Sequence, residues 1–351
     1  MYGKWERHSW RMRHNMKHLR ATDRLRETAK TWKRGKATDM AGTHDTTLEE
    51  SMEAMVSGGV FRGEPMDRHT SFGVGGIADY FVVPANPEET VRLVDFLAAL
   101  GVSFLPLGKG TNLLVLDGGY RGVIISLKNL QGLQIRQEDD DETLLVRGEA
   151  GLPITRLIDC ALKDSLEGLE FLAGIPGTLG GALRMNAGAW GSEIKDVVRS
   201  LTLVVPGRGA EVIPRSRLAF AYRKLELPEG SVIAAAELAV RRGDRDVIEG
   251  RIREIMDKRK KRHPLEYRSA GSVFKNPPGG VPAGRLIEEA GLKGLVVGDA
   301  MISELHGNFI VNRGKAKAAH IIELIEEVRM RIRDMTGIEL ETEIVIVGED
   351  L

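Results

Sequence analysis

Apolar residues are spaced in two ways along this chain, and the changes of spacing mark its elements. "ADYFVV" at 78 to 83 is a mostly apolar run, the pattern of a buried strand. "NPEETVRLVDFLAALG" then changes to helical spacing. Asn86 suits the N-cap, Pro87 the first helical position, Glu89 completes a capping box, and Gly101 ends the helix. The short runs "SFLPLG", "NLLVLDGG" and "GVIISL" predict further strands, so residues 66 to 128 read as a small strand–helix unit. From 129 to 245 strand-like runs dominate ("ETLLVRGEA", "SLTLVV", "SVIAAAELAV"), with one helix at 153 to 164. The polar helix "RDVIEGRIREIMDKRKKRHP", stopped by Pro264, leads into a last unit at 250 to 351.

That last unit predicts a strand at "GSVFK", a helix at 282 to 290, a strand at "GNFIVN" and a long helix from Lys315 to Thr336. In the long helix Ile321, Leu324, Ile325, Val328 and Ile332 fall at helical spacing, with Gly337 as its stop. The closing "IELETEIVIVG" alternates as a strand: Ile338, Leu340, Ile344 and Ile346 share one face, and Glu339, Glu341 and Glu343 share the other with Val345 and Val347. Glu343 enters just as both faces turn apolar, which is costly for a carboxylate unless it is paired. The expected fold class is α+β, in three ordered parts preceded by an extension over residues 1 to 60.

Composition narrows the picture. The 351 residues carry 50 Lys/Arg against 50 Asp/Glu, so no net charge favours nucleic acid. Cys160 is the only cysteine, which rules out an intrachain disulfide and suits a reducing compartment. No apolar run reaches the roughly 18 residues of a membrane span. A soluble, cytoplasmic protein is expected, without membrane insertion. Residues 1 to 36 depart from the average, with 12 Lys/Arg against Glu6, Asp23 and Glu27. The expectation is a disordered basic extension, and a chain lacking residues 1 to 50 is expected to keep its turnover.

Candidate chemistry begins with glycine. "GIPGTLGGALRMNAGAWG" at 174 to 191 holds six glycines in eighteen positions, and "PLGKGTNLLV" at 106 to 115 is a second such segment. Glycine costs conformational entropy, so such clusters suggest that something approaches the main chain closely. Neither segment fits a Walker loop or a Rossmann fingerprint. Each sets main-chain N–H groups beside side-chain donors (Lys109, Thr111, Asn112; Thr178, Asn186), an arrangement able to hold a diphosphate and a flat ring from opposite sides.

The longer segment resembles the flavin-cradling segment of UDP-N-acetylenolpyruvoylglucosamine reductases, within the vanillyl-alcohol-oxidase-like FAD-binding group. "LGKGTNLLV" is similar to that family's pyrophosphate loop. "FAYRKLEL", "SAGSVFKNPPG", "AGRLIEEAGLKG", "ISELHGNFIVN" and "LETEIVIVG" follow in the family's order over about 66 to 348. Thr111 stands where serine is usual, Trp190 where tyrosine is, and Gly307 where alanine is. The 49 positions from Arg223 to Ser272 are too few for the substrate-covering tyrosine loop of the longer branch, so the chain resembles the shorter one.

The resemblance implies an FAD-binding region in two parts, a smaller substrate-binding domain, and NADPH-dependent reduction of a UDP-sugar enolpyruvyl ether to UDP-N-acetylmuramate for peptidoglycan. For the cofactor it implies Gly108, Lys109, Gly110, Thr111 and Asn112 from one segment. From the other come Gly174, Ile175, Gly177, Thr178, Gly180, Gly181, Asn186, Gly188 and Ala189. Arg223 would hold the developing charge beside the substrate carboxylate, since a guanidinium fork binds carboxylate bidentately. Glu343, with a raised pKa, would assist or orient it. Ser272 would give the proton to C2 while hydride arrives at C3. Arg262 and Asn276 would contact substrate. His306, without a second ligand at metal spacing, is expected to be packed or hydrogen-bonded, and no metal is expected. The UDP-sugar is the expected partner, and a monomer is expected. An FAD-dependent oxidase of the same fold group and a non-catalytic flavin-binding module stay open as alternatives.

Overall fold

The computed structural model describes residues 43–138 and 142–351, so the basic run at 1 to 36 lies outside the described residues. Secondary structure is present upstream of where the sequence pattern suggested it. Thr43–Glu53 form a helix and Val60–Pro65 a strand. Leu48, Met52 and Val56 are buried in the main core, so the stretch up to 60 is not extension throughout.

The first unit is a four-stranded sheet in the order Val60–Pro65, Ile77–Val82, Tyr120–Ser126, Phe104–Leu107. Its first pair is antiparallel and the others parallel. The helix Pro87–Leu100 makes the crossover on its predicted signals: Asn86 Oδ1 accepts from Glu89 N at 2.9 Å, and Gly101 takes a left-handed φ of 67°. The Glu89 carboxylate also accepts from Ser57 N and Ala85 N, which ties the N-terminal segment to this helix.

The second unit is a larger sheet in the order Gly209–Pro214, Val198–Val205, Val232–Arg242, Thr143–Glu149, Leu133–Gln137. Successive pairs are antiparallel. Helices Ile154–Lys163 and Leu179–Arg184 contribute Leu157, Ile158, Leu179 and Leu183 to its core. The polar helix Arg245–Arg262 buries Ile248, Ile252 and Ile255 there as well.

The last unit packs Ala318–Thr336 on a three-stranded antiparallel sheet, Val296–Val297, Ala300–Ile302 and Ile310–Asn312. Its core includes Phe72, Val74 and Leu114 from the first unit. Two predicted strands are corrected here. "GSVFK" is not a strand but a segment held by single bridging pairs, Ser272 with Phe309 and Phe274 with Thr342. The closing strand covers only Val345–Val347, paired parallel with Leu113–Val115. Up to Thr342 the chain lies against 273–275, and at Glu343 and Ile344 both amides turn to Val273 O. The next amide, of Val345, bonds Asn112 O instead, and this change of partner ends the single pleated face that the alternation suggested.

Candidate functional site

The two glycine segments are in direct contact. Thr111 Oγ1 donates to Pro176 O at 3.2 Å. A Cβ on Gly108 would collide with Thr178 Oγ1, and one on Gly177 would come within 2.9 Å of Thr111 Oγ1. Gly110, at φ +62°, has the His69 carbonyl where its side chain would stand, and Gly180 lies against Ala150. These glycines let two loops close to within backbone contact. Thr178 Oγ1 accepts from Gly181 N at 3.4 Å at the start of Leu179–Arg184. Gly181 itself has open space beside it, the nearest atom to a built Cβ being Thr178 Oγ1 at 3.6 Å.

Some predicted cofactor residues have their side chains already occupied. Asn186 is buried at φ 41°, donating to Ala221 O at 3.0 Å and accepting from Lys195 N at 3.3 Å. Asn112 donates to Glu343 O at 3.0 Å, which joins the first glycine segment to the closing strand. Ile175 is partly buried against the main core, and Ala189 pairs with Ser192 in a short hairpin. Lys109 stays exposed on the rim of a cleft of about 240 Å³ that also takes Arg68, His69, Ser71, Ser126 and Lys128. Three cations and two hydroxyls on one concave wall suit an anionic group.

Arg223 sits in the turn between Ala219–Ala221 and Lys224–Glu226, at φ 56°, a left-handed conformation that costs a non-glycine residue energy. Its Nη1 donates to Gly188 O at 3.2 Å, and its Nε lies 3.0 Å from Glu343 Oε1. The pair is close enough for charge attraction but misaligned for an N–H···O bond, so the buried Nε lacks an acceptor. Burial raises the Glu343 pKa, and the Arg223 guanidinium pulls against that shift without cancelling it. The expected pairing of Glu343 with Arg223 is therefore present across 120 residues of sequence.

Ser272 reaches the same place through the backbone. Val273 O accepts from Glu343 N at 2.7 Å, one peptide from Ser272. The buried Asn308 side chain grips the next residue at both ends, accepting from Phe274 N at 2.9 Å and donating to Phe274 O at 2.8 Å. The Ser272 hydroxyl makes no hydrogen bond among the described residues. Asn276 accepts from Ala283 N at 3.0 Å through Oδ1, and its backbone N–H donates to the Tyr222 hydroxyl at 3.4 Å.

Arg262 stands exposed in the last turn of its helix, beside His263. One turn earlier is a residue that the sequence reading passed over. Arg259 lies against Gly174, its Nε buried without a hydrogen-bond partner, and burial holds its pKa below the usual arginine value. The run "DKRKKRH" reads as a solvated face, and only the spacing of Ile248, Ile252 and Ile255 hints that one side of this helix turns inward. His306 is packed as expected: Nδ1 accepts from Asn308 N at 3.2 Å, and the ring meets Phe309 at 4.8 Å and His263 at 5.8 Å. Burial and neighbouring Arg259 push the His263 pKa down to about 4. Among the described residues no group of His, Cys, Asp and Glu is arranged to hold a metal, and no helix is long and apolar enough to cross a membrane.

Comparison with known proteins identifies the family. Residues 263–347 match the C-terminal domain of UDP-N-acetylenolpyruvoylglucosamine reductase, and residues 78–212 match an FAD-binding domain. A UDP-N-acetylenolpyruvoylglucosamine reductase of Syntrophus aciditrophicus is 51% identical over 88% of this chain and 98% of its own length. One from Geotalea uraniireducens is 43% identical over 88% of this chain and 100% of its own. The crystal structure of the Thermus caldophilus enzyme superposes with a TM-score of 0.71 at 35% identity, covering 82% of this chain and 98% of that one.

Proposed function

The chain belongs to the UDP-N-acetylenolpyruvoylglucosamine reductases, FAD- and NADPH-dependent oxidoreductases of peptidoglycan synthesis, and we propose that Arg223, Glu343 and Ser272 act at the reacting end of its substrate. The protein fits FAD on its own geometry: two loops drawn together at Gly108, Gly110 and Gly177, a cationic cleft beside them, and the orphaned Nε of Arg259 against Gly174. Gly108, Gly110 and Thr111 with Gly177, Thr178, Gly180 and Gly181 would hold it by main chain and hydroxyl. Gly174, Ile175, Gly188, Ala189, Asn112 and Asn186 would shape the wall, and Arg259 and Lys109 would supply positive charge. FAD, when bound, supplies the hydride that it takes from NADPH.

The protein's own tasks are to hold the enolpyruvyl carboxylate and to supply a proton at C2. Arg223 is suited to the first, because its misaligned Nε and unshared N–H groups can turn to a planar anion. Glu343 keeps that fork in place through its charge. With its raised pKa, its protonated form can donate to the carboxylate as charge accumulates there. Ser272 Oγ, with no partner among the described residues, is the proton donor, its proton going to C2. Arg262 and Asn276 contact the remainder of the UDP-sugar. The oxidase alternative calls for a base that withdraws a proton, and it is disfavoured because the relatives 43–51% identical to this chain are reductases. A cytoplasmic monomer completes the reading.

The observation that carries this reading is the Arg223–Glu343 pair, braced on Gly188 of the glycine segment and one peptide from Ser272. Ser272→Ala should keep flavin reduction by NADPH and lose about 10²–10⁴-fold in anaerobic reoxidation by the enolpyruvyl substrate. Reoxidation at the wild-type rate in stopped-flow absorbance would remove Ser272 from the chemistry.

A further inference from the structure

The hairpin that presents Arg223 is too small to place it unaided. It consists of the two short strands Ala219–Ala221 and Lys224–Glu226, and its tip holds Arg223 at φ 56°. An isolated two-stranded hairpin is marginally stable at best in water. A non-glycine residue keeps a left-handed backbone only where its surroundings enforce it. The site arginine therefore depends on contacts from outside its own element.

Those contacts come from the longer glycine segment. Asn186 Nδ2 donates to Ala221 O at 3.0 Å, two residues before Arg223, and Arg223 Nη1 donates to Gly188 O at 3.2 Å. Arg184 Nη1 adds a bond to Leu225 O at 2.8 Å on the returning strand. Asn186 differs from Arg184 in being fully buried. Its Oδ1 accepts from Lys195 N at 3.3 Å, so one side chain joins two separate stretches of main chain. Arg215 continues the brace, donating from Nε to Lys195 O at 3.0 Å and from Nη1 to Leu218 O at 3.2 Å, at the entry to the hairpin. Asn186 itself stands at φ 41°, which asparagine tolerates better than most residues. With its oxygen and its nitrogen each engaged on main chain, this side chain serves geometry rather than a ligand.

We propose that Asn186 is a positioning residue for the reaction. By holding Ala221 O it sets the Arg223 turn against the glycine segment, so that the guanidinium stands where the enolpyruvyl carboxylate arrives. This deepens the reading of Arg223 given above and rests on it. The segment that cradles the flavin thereby also aims the group that holds the substrate, which fixes the two reactants relative to each other. A misplacement of about 1 Å at such a point costs on the order of 10²-fold in rate.

The test uses the full-length, FAD-loaded enzyme and its Asn186→Gly variant, which removes both side-chain bonds and keeps the left-handed backbone without strain. FAD content and stopped-flow reduction by NADPH report on the cofactor seat. Anaerobic reoxidation by the enolpyruvyl UDP-sugar reports on the Arg223 end. Reoxidation should fall about 10–100-fold while FAD content and flavin reduction keep their wild-type values. The same substitution made in Arg223→Ala should cause no further loss, because the guanidinium it positions is already gone. Reoxidation at the wild-type rate overturns the proposal. So does an equal fold-loss in both backgrounds, which would make the effect independent of Arg223. A loss of FAD content or of flavin reduction overturns it too, and would return Asn186 to the cofactor seat. Should Asn186→Gly not fold, Asn186→Asp at pH 8 carries the same comparison, since its carboxylate keeps the acceptor for Lys195 N and has no hydrogen for Ala221 O. Wild-type reoxidation in Arg223→Ala alone would instead sink the underlying reading of Arg223, and the proposal with it.

Discussion

At the scale of single residues, Glu343 decides how the site responds to pH. Burial lifts its pKa above the ordinary 4.5, and the Arg223 charge offsets only part of that. The folded protein therefore holds this proton more firmly than the unfolded chain does. The associated stability is complete below about pH 4.5 and is lost as pH rises through the lifted value. Glu343→Gln removes the titration. The melting temperature of wild type minus that of Glu343→Gln should accordingly decrease from pH 4 towards pH 8, and an increase over that range would mean that the carboxylate titrates low. Much of this neighbourhood could be read from composition, since clustered glycine signals exposed main chain and a lone glutamate in an apolar strand demands a partner. Arg259 could not be read that way. Its run looks like any solvated basic helix face, and its burial depends on Gly174, 85 residues earlier, leaving room for it.

At the scale of elements, local chemistry was the most legible and pairing the least. The helix Pro87–Leu100 begins and ends where its capping residues say it should. The long C-terminal helix was expected from Lys315 but starts at Ala318, because a distant side chain sets its first turn. Asp117 of the first unit accepts from Ala318 N and Ala319 N, each at 2.9 Å. This is a cap supplied across 201 residues, invisible to any local pattern. Asp117→Ala should cost about 1–2 kcal/mol, as loss of an N-cap does, and lower the melting temperature by a few degrees. Asp117→Asn, keeping one acceptor, should cost less. An unchanged melt in both would mean that the two amides find other acceptors at no cost. The over-extended strands at "GSVFK" and 338–347 failed for a related reason: alternation reports which side chains face inward, not which neighbour the backbone bonds to.

Taken whole, the molecule is closed by its ends. Val345–Val347 lies beside Leu113–Val115, and Asn112 holds Glu343 and Val345 through its side chain and carbonyl, so the last residues complete the first unit and the site together. At the other end, Thr43–Glu53 is polar enough to pass for extension, with Leu48 and Met52 as its apolar anchors, yet both are buried beside Val56. Ser57 then ties the segment to Glu89 through N at 3.0 Å and Oγ at 2.8 Å. A deletion through residue 50 therefore removes part of a packed helix. Burying a side chain such as Leu or Met stabilises by about 1.5–3 kcal/mol, and helix ordering offsets part of that. A chain beginning at Gly58 should melt several degrees below one beginning at Gly42, while both reduce substrate at similar rates at low temperature, because no site residue lies before Arg68. Equal melting temperatures would mean that the N-terminal helix adds no net stability. A large loss of turnover without any change in melting would instead make that helix part of the catalytic unit.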